Sequence, residues 1–391
     1  MSFENFYHKV MTSKLGHAMR VIFEDSPYHR EANVSEHTRM TIRWYEDNIA
    51  SSRTTEQQLL TKLALLFHDT GKPMARTEKF SEARGTYYSY PGHEQMSARV
   101  FEDYILTHWQ ELEKDLGQAV NWSMIEKVKC LIEHHLPYEK TGKDKLIALK
   151  THIRFLGGEE LEEAYFDVLR SDAHGRISDD PDGTYTRVEE WISQFQSVQT
   201  KEVGEIFNRG VPYIILAIGA SGSGKSTYFM ERFSYDDADG PSEYLFSLDD
   251  LRLAFYGAQT GNEPIYDVAW NYIHRNEDKQ VEKEFDAYCL KEFSSLVQER
   301  FNIFVDISNV SAKSRRRWIT LARQHGYNVF AVHFAIPYQV CLNRQSTRSD
   351  KQISERSVQQ QYFRISTPLI GTEVDAMSYT FSFDFDEVAK S

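Results

Sequence analysis

Cysteine is scarce. Cys130, Cys289 and Cys341 are the only three in 391 residues and stand far apart, which excludes a disulfide framework and points to a reducing cytoplasm. Long apolar runs are missing too, so no segment is expected to span a bilayer. The opening residues MSFENFYHKVMTSK lack the apolar stretch and cleavage site of a secretion signal. Positive charge is in deficit: 45 Lys and Arg stand against 58 Asp and Glu, a formal net charge of −13. That excludes a protein that coats nucleic acid by charge alone. An enzyme that grips one strand end needs only a local basic groove. The run Lys313, Arg315, Arg316, Arg317, Arg323, Arg344, Arg348, Lys351 and Arg356 is the candidate, with a solvated helix face as the alternative for Arg315 to Arg317. Internal repeats and low-complexity segments are also lacking.

With 41% apolar residues and this length, the chain has room for two globular domains, expected at 1–200 and 201–391. In the first, apolar residues recur at helical spacing, as in Leu59, Leu60, Leu63, Leu66 and Phe67, so this half is expected to be mostly α. One β-like patch, 86–90, is closed by Pro91 and Gly92. Turn chemistry makes 178–187 a loop, and 191–209 is expected to carry the chain between domains. In the second half, short apolar runs at 213–218, 244–246, 303–305 and 329–334 alternate with amphipathic helices. That pattern suits an α/β domain with a buried parallel sheet.

Gly219, Ala220, Ser221, Gly222, Ser223, Gly224, Lys225, Ser226 and Thr227 match the phosphate-binding pattern G-x-x-x-x-G-K-[ST], placed between a strand and a helix as it requires. The glycines let backbone N–H groups curl around phosphate oxygens of ATP or another NTP. Lys225 is expected at the β/γ-phosphates and Ser226 on Mg²⁺. After the next strand come Asp249, Asp250 and Arg252. A carboxylate there can take a proton from an attacking hydroxyl, and Arg252 can pair with a neighbouring phosphate. The plainer alternative is that one of the two aspartates caps the following helix. Asp306, ending a later strand, can order water around Mg²⁺, whereas Asn309 can simply form a turn. Arg344 and Arg348, four residues apart, share a helix face and can close over the phosphates.

Histidines of the first half appear in a telling order: His37, then His68 with Asp69, then His93, then His134 and His135, then Asp172. Imidazoles and carboxylates from several helices can converge on two divalent transition metals such as Mn²⁺, Co²⁺, Ni²⁺ or Fe²⁺. His37, His68, Asp69, His93, His134 and Asp172 are the candidate ligands, His134 having a slight preference over His135. Lys72 and Arg176, four residues or fewer from a candidate carboxylate, can bind substrate phosphate. His174 has no assigned place, and the remaining histidines, His29 among them, are expected to be ordinary core or surface residues.

Residues 211–366 resemble the kinase domain of phage polynucleotide kinase and its bacterial relatives. The resemblance implies Asp249 as general base, Arg252 as clamp on the acceptor phosphate, and Arg344 and Arg348 as lid. The phage enzyme continues into an aspartate-nucleophile phosphatase domain, which Asp384 and Asp386 are not expected to supply. Residues 30–180 resemble the HD phosphohydrolase superfamily, which implies an all-α HD fold and hydrolysis of phosphomonoesters or cyclic phosphodiesters. The fusion resembles the bacterial HD-Pnk end-healing enzymes. It implies RNA or DNA strand ends as substrates and, with no K-x-D-G ligase motif in the chain, a separate ligase for sealing. An HD nucleotidase joined to a small-molecule kinase is one alternative, and a nucleotide-sensing regulator with a degenerate HD site is another.

Overall fold

The computed structural model describes residues 3–23, 26, 29–82, 85–117, 120–136, 142–201, 210–233, 243–275, 279–349, 351 and 353–381. The chain divides into two compact units, Met1–Val203 and Gly204–Ser391. No helix among the described residues is long and apolar enough to cross a membrane.

The first unit is helical with one hairpin. Its elements are α1 (Phe3–Thr12), α2 (Lys14–Arg20), α3 (Val34–Asn48), α4 (Thr55–Phe67), α5 (Lys72–Ala75), β1 (Thr77–Ser81), β2 (Gly85–Ser89), α6 (His93–Thr107), α7 (Trp109–Leu116), α8 (Trp122–Glu133), α9 (Lys143–His174) and α10 (Pro181–Ser197). The starts of α3, α4 and α8 are set by Asn33, Thr54 and Asn121, whose side chains accept backbone N–H groups of the first turn. Leu63, Leu66 and Phe67 of α4 meet Ile125, Val128 and Leu131 of α8 and Val168 and Leu169 of α9 in one apolar core.

Three expectations need correction here. The unit is not the all-α fold that the HD resemblance implies: β1 and β2 pair antiparallel, Thr77 opposite Ser89, and β2 covers most of the β-like patch read at 86–90. Residues 181–187 are helical, because Asp180 accepts the Gly183 N–H and Pro181 fills the first turn of α10. The residues that suggested a turn are a helix cap. Trp191, Ile192 and Phe195 belong to the core of this unit rather than to a connection, and 202–209 lie outside the described residues.

The second unit is a five-stranded sheet with order β4-β5-β3-β6-β7 and parallel pairing throughout. In chain order it runs β3 (Tyr213–Ile218), α11 (Lys225–Phe233), β4 (Tyr244–Ser247), α12 (Leu248–Thr260), α13 (Tyr266–His274), α14 (Gln280–Gln298), β5 (Ile303–Asp306), α15 (Ala312–Gln324), β6 (Asn328–Phe334), α16 (Tyr338–Ser346), α17 (Glu355–Tyr362) and β7 (Ala376–Thr380). The central strands are continuous apolar runs because both faces are covered. Edge strand β7, AMSYT, is only partly buried and carries no such signal in the sequence. All of the candidate kinase residues follow the carboxyl ends of strands, where open α/β sheets bind their ligands.

Candidate functional site

Two side-chain constellations stand out, one in each unit. In the second, the loop 219–224 leaves β3 and opens α11. Lys225 is folded back onto the loop, donating to the carbonyls of Gly219 at 3.0 Å and Ala220 at 2.8 Å. Burial pushes its pKa down. Ser226 Oγ donates to Asp306 Oδ2 at 2.6 Å, so the two candidate Mg²⁺ residues already meet. Asn309 does more than turn the chain. Buried and left-handed (φ 49°), it donates from Nδ2 to the carbonyls of Ala217, Val305 and Ile307. This fixes the end of β3 against the end of β5.

Neither aspartate of the 249–250 pair supplies the side-chain cap of α12. Ser247 does, its Oγ accepting the Asp250 N–H. Asp249 is thereby left for other partners: Lys351 and Arg252 form ion pairs with it, and Tyr266 lines the same cavity as Asp249. Burial alone would raise its pKa, but the Lys351 ammonium, helped by Arg252 and Tyr266, holds the carboxyl below its ordinary value. Asp249, Arg252, Lys225, Ser226, Thr227, Asp306, Arg344 and Arg348 all line one cavity of about 1050 Å³, together with Ser221, Gly222 and Gly224.

The proposed basic groove shrinks in the structure. Arg315 is fully buried and donates to the carbonyls of Asn309 and Ser366 and to Glu373. Arg323 pairs with Asp375 and Arg317 with Asp286. From the run only Arg344, Arg348 and Lys351 line the cavity. Two glutamines that the sequence reading missed connect the phosphate loop to α16, which bears Arg344, and to α17. Ser221 N–H donates to Gln361 Oε1 at 2.9 Å, and Ser221 Oγ to the buried Gln345 at 3.0 Å. A long-range glutamine contact leaves no periodic trace in the sequence.

In the first unit, His37 from α3, His68 and Asp69 from the end of α4, His93 from the start of α6, His135 beyond α8 and Asp172 from α9 converge, all buried. His37 Nε2 lies 2.9 Å from Asp172 Oδ1, 3.2 Å from His68 Nε2 and 3.6 Å from Asp69 Oδ2. The other Asp69 oxygen faces His93 Nε2 at 3.1 Å and His135 Nε2 at 3.8 Å. Asp69 therefore stands between two groups of ligand atoms, one with His37 and His68, the other with His93 and His135. His135, not His134, enters the cluster, a correction to the preference read from the sequence. The chain leaves α8 at His134, its C-cap residue, and His135 is the one turned inward.

The outward nitrogens follow a common pattern. Nδ1 of His68, His93 and His135 each sits 2.7–2.8 Å from a backbone carbonyl one turn back, of Leu65, Tyr90 and Ile132. His37 Nδ1 instead meets the buried Glu31 at 3.1 Å. Partners of this kind fix the tautomer in which Nε2 presents a lone pair inward. Two imidazole Nε2 atoms 3.2 Å apart, surrounded by carboxylate oxygens, suit a shared cation. Burial opposes protonation of His68, yet Asp69 and Asp172 raise its pKa to about 10, so the two carboxylates favour positive charge at this point, which a proton or a metal cation can supply. Burial and the neighbouring His68 and His93 lower the pKa of His135 to about 3.

Lys72 is nearly buried and pairs with Asp69 Oδ2 at 2.8 Å, and Arg176 pairs with Asp172. Gly71 allows the turn to pass close to α6: a Cβ there would stand 2.4 Å from the His93 carbonyl oxygen. His174 has a packing place, stacked between Trp44 at 4.4 Å and Tyr185 at 3.7 Å. Glu31 was missed by the sequence reading because it belongs to no motif, and His29, 3.5 Å from it, was set aside as ordinary.

A family described as an AAA domain matches residues 214–368. A protein of Autographa californica nuclear polyhedrosis virus, described as a candidate bifunctional polynucleotide kinase/RNA ligase, is 23% identical over 175 residues, 44% of this chain. The chain spans 23% of that relative's length. Among solved structures, the tunicamycin resistance protein of Deinococcus radiodurans is 14% identical and gives a TM-score of 0.28, with 46% of this chain and 92% of that one covered. The second unit is a P-loop domain of kinase type, and such a domain depends on a nucleotide and Mg²⁺.

Proposed function

We propose that the chain heals broken nucleic-acid ends: its second unit phosphorylates 5′-hydroxyls, and its first removes 2′-phosphate, 3′-phosphate or 2′,3′-cyclic phosphate. The kinase half rests on one observation above all. Asp249, held as a carboxylate by Lys351 and Arg252, shares a cavity with the phosphate loop. In that reading Asp249 takes the proton of the 5′-hydroxyl as its oxygen attacks the γ-phosphorus. The bond to the bridging β–γ oxygen breaks and the nucleoside diphosphate leaves. Lys225, Arg344 and Arg348 neutralise the equatorial oxygens, and Ser226 and Asp306 would hold Mg²⁺. Arg252 binds the phosphate 3′ to the attacked hydroxyl. The viral relative's description supports a polynucleotide acceptor.

The phosphohydrolase half rests on the four inward Nε2 atoms around Asp69. Divalent metals held there would supply Lewis-acid chemistry, lowering the pKa of a water and polarising the phosphoryl group. His37, His68, Asp69 and Asp172 form one half of the donor set, and Asp69, His93 and His135 the other. Lys72, buried against Asp69, and Arg176, paired with Asp172, would meet the substrate phosphate.

The test is transfer of labelled γ-phosphate from ATP to a 5′-OH oligonucleotide, beside release of 3′-terminal phosphate with Mn²⁺. Lys225→Ala is expected to abolish the first alone and His68→Ala the second alone. Loss of both activities in either variant contradicts this division of labour.

A further inference from the structure

The cavity that holds Asp249 has a wall that the reaction described above does not use. Tyr266, Asp267, Trp270, Asn271 and Arg275, all from α13 or just beyond it, line it. The helix is anchored from behind by Ala269 and Ile273, which are fully buried. Its first residue, Tyr266, lines the cavity beside the proposed base Asp249 and carries Lys351, the ion-pair partner of that base, 4.8 Å over its ring. Trp270 follows four residues later on the same face, one turn or about 5.4 Å along the axis. It is 37% exposed, with its ring leaning on His274 at 5.0 Å. An indole left in water inside a cavity of charged groups contributes little to the core, while its open face suits a flat, aromatic ligand.

We infer that α13 forms the acceptor subsite of the kinase, Trp270 stacking on the nucleobase next to the attacked 5′-hydroxyl and Arg275 meeting a phosphate further along the strand. The inference rests on the 5′-hydroxyl kinase reading and deepens it. Three features carry it. A cavity of about 1050 Å³ is at the upper limit of single-ligand sites, which leaves space for a strand end beside the donor. β4 is the edge strand of the sheet and β3, with the phosphate loop, is central. α12 leaves that edge strand and α13 packs on α12, so this wall belongs to the Asp249 side of the cavity. Indole stacking accepts any base, as a repair enzyme that meets arbitrary ends requires.

The experiment compares two 5′-OH oligonucleotides, one ordinary and one whose terminal nucleotide lacks its base, in the full-length wild type and in Trp270→Ala and Trp270→Phe. With the wild type, removing the base is expected to raise the acceptor KM about tenfold, within the range of base–aromatic stacking. Trp270→Ala is expected to raise the KM of the ordinary acceptor by a similar factor and to erase the difference between the two. Trp270→Phe should fall between, and the KM for ATP should not move. An unchanged acceptor KM in Trp270→Ala, or a rise in the KM for ATP instead, overturns the inference and leaves the kinase reading standing. Failure of the wild type to phosphorylate either oligonucleotide overturns the kinase reading, and the subsite with it.

Discussion

Ser226 Oγ and Asp306 Oδ2 meet at 2.6 Å, joining the start of α11 to the end of β5 where the nucleotide's metal is expected. The carboxylate has no other described role in the fold. Asp306→Ala is therefore expected to lower kinase turnover about 10²-fold, because the metal contributes several kcal/mol of charge stabilisation. Extra Mg²⁺ should recover part of the loss. A titration of rate against Mg²⁺ checks this, and an unchanged Mg²⁺ dependence counts against Asp306.

Asp249 and Lys351 make a prediction in pH. The ammonium stabilises the carboxylate, so its pKa lies below the ordinary Asp value of about 3.9. Kinase kcat/KM should then stay flat from about pH 7 down to about pH 5, since the base remains ionised throughout. Lys351→Met removes the first of the two cations, so burial, which raises the pKa, is opposed by Arg252 without Lys351. The acid limb of the profile is expected to move up into the measured range. An acid limb that stays where it was would separate Asp249 from the role of base.

Gly222 has φ +85°, and a Cβ there would stand 2.3 Å from the Cys341 carbonyl oxygen of α16. Backbone cannot yield as a flexible side chain can, so Gly222→Ala should displace the phosphate loop from the helix bearing Arg344. Kinase activity is expected to fall to background while phosphohydrolase activity and the far-UV circular dichroism remain. A fully active Gly222→Ala protein contradicts the loop geometry.

Glu31 fixes His37 from behind. Glu31→Gln preserves shape and removes the charge, and outer partners of this kind typically change metal affinity about 10–100-fold. Competition against a chelator should show a loss of that order, with hydrolysis restored by excess Mn²⁺ and kinase activity unaltered. Wild-type metal retention in the variant would reduce Glu31 to a packing residue.

Part of the fold and of the two side-chain clusters is legible in the sequence. The runs 213–218 and 303–305 read as strands because burial on both faces leaves them continuously apolar. His68 and Asp69 announced a cluster because adjacent ligands end an apolar helix. What stayed hidden depends on distance along the chain or on a single turn of backbone. His135 replaces His134 because the break after α8 decides which ring faces inward, and a pair of adjacent histidines does not encode that. Arg315 reads as part of a basic groove, or alternatively of a solvated helix face, and is fully buried, because the Asn309 carbonyl and, from remote segments, the Ser366 carbonyl and the Glu373 carboxylate meet it. Asp180 and Pro181 read as a turn, since the residues that cap helices are also those that build turns.

The most direct measurement takes one RNA carrying a 5′-hydroxyl and a 2′,3′-cyclic phosphate and analyses both ends after incubation with the full-length protein, Mg²⁺ and Mn²⁺, with and without ATP. Ends are read by gel mobility and by joining with a separate ligase. With ATP, a 5′-phosphate and a free 3′-hydroxyl are expected and the product can be sealed. Without ATP, the 3′ end should still be healed and the 5′ end left untouched, because only the kinase consumes a donor. A cyclic phosphate that survives in both reactions, or a 5′-hydroxyl that survives with ATP present, contradicts the account.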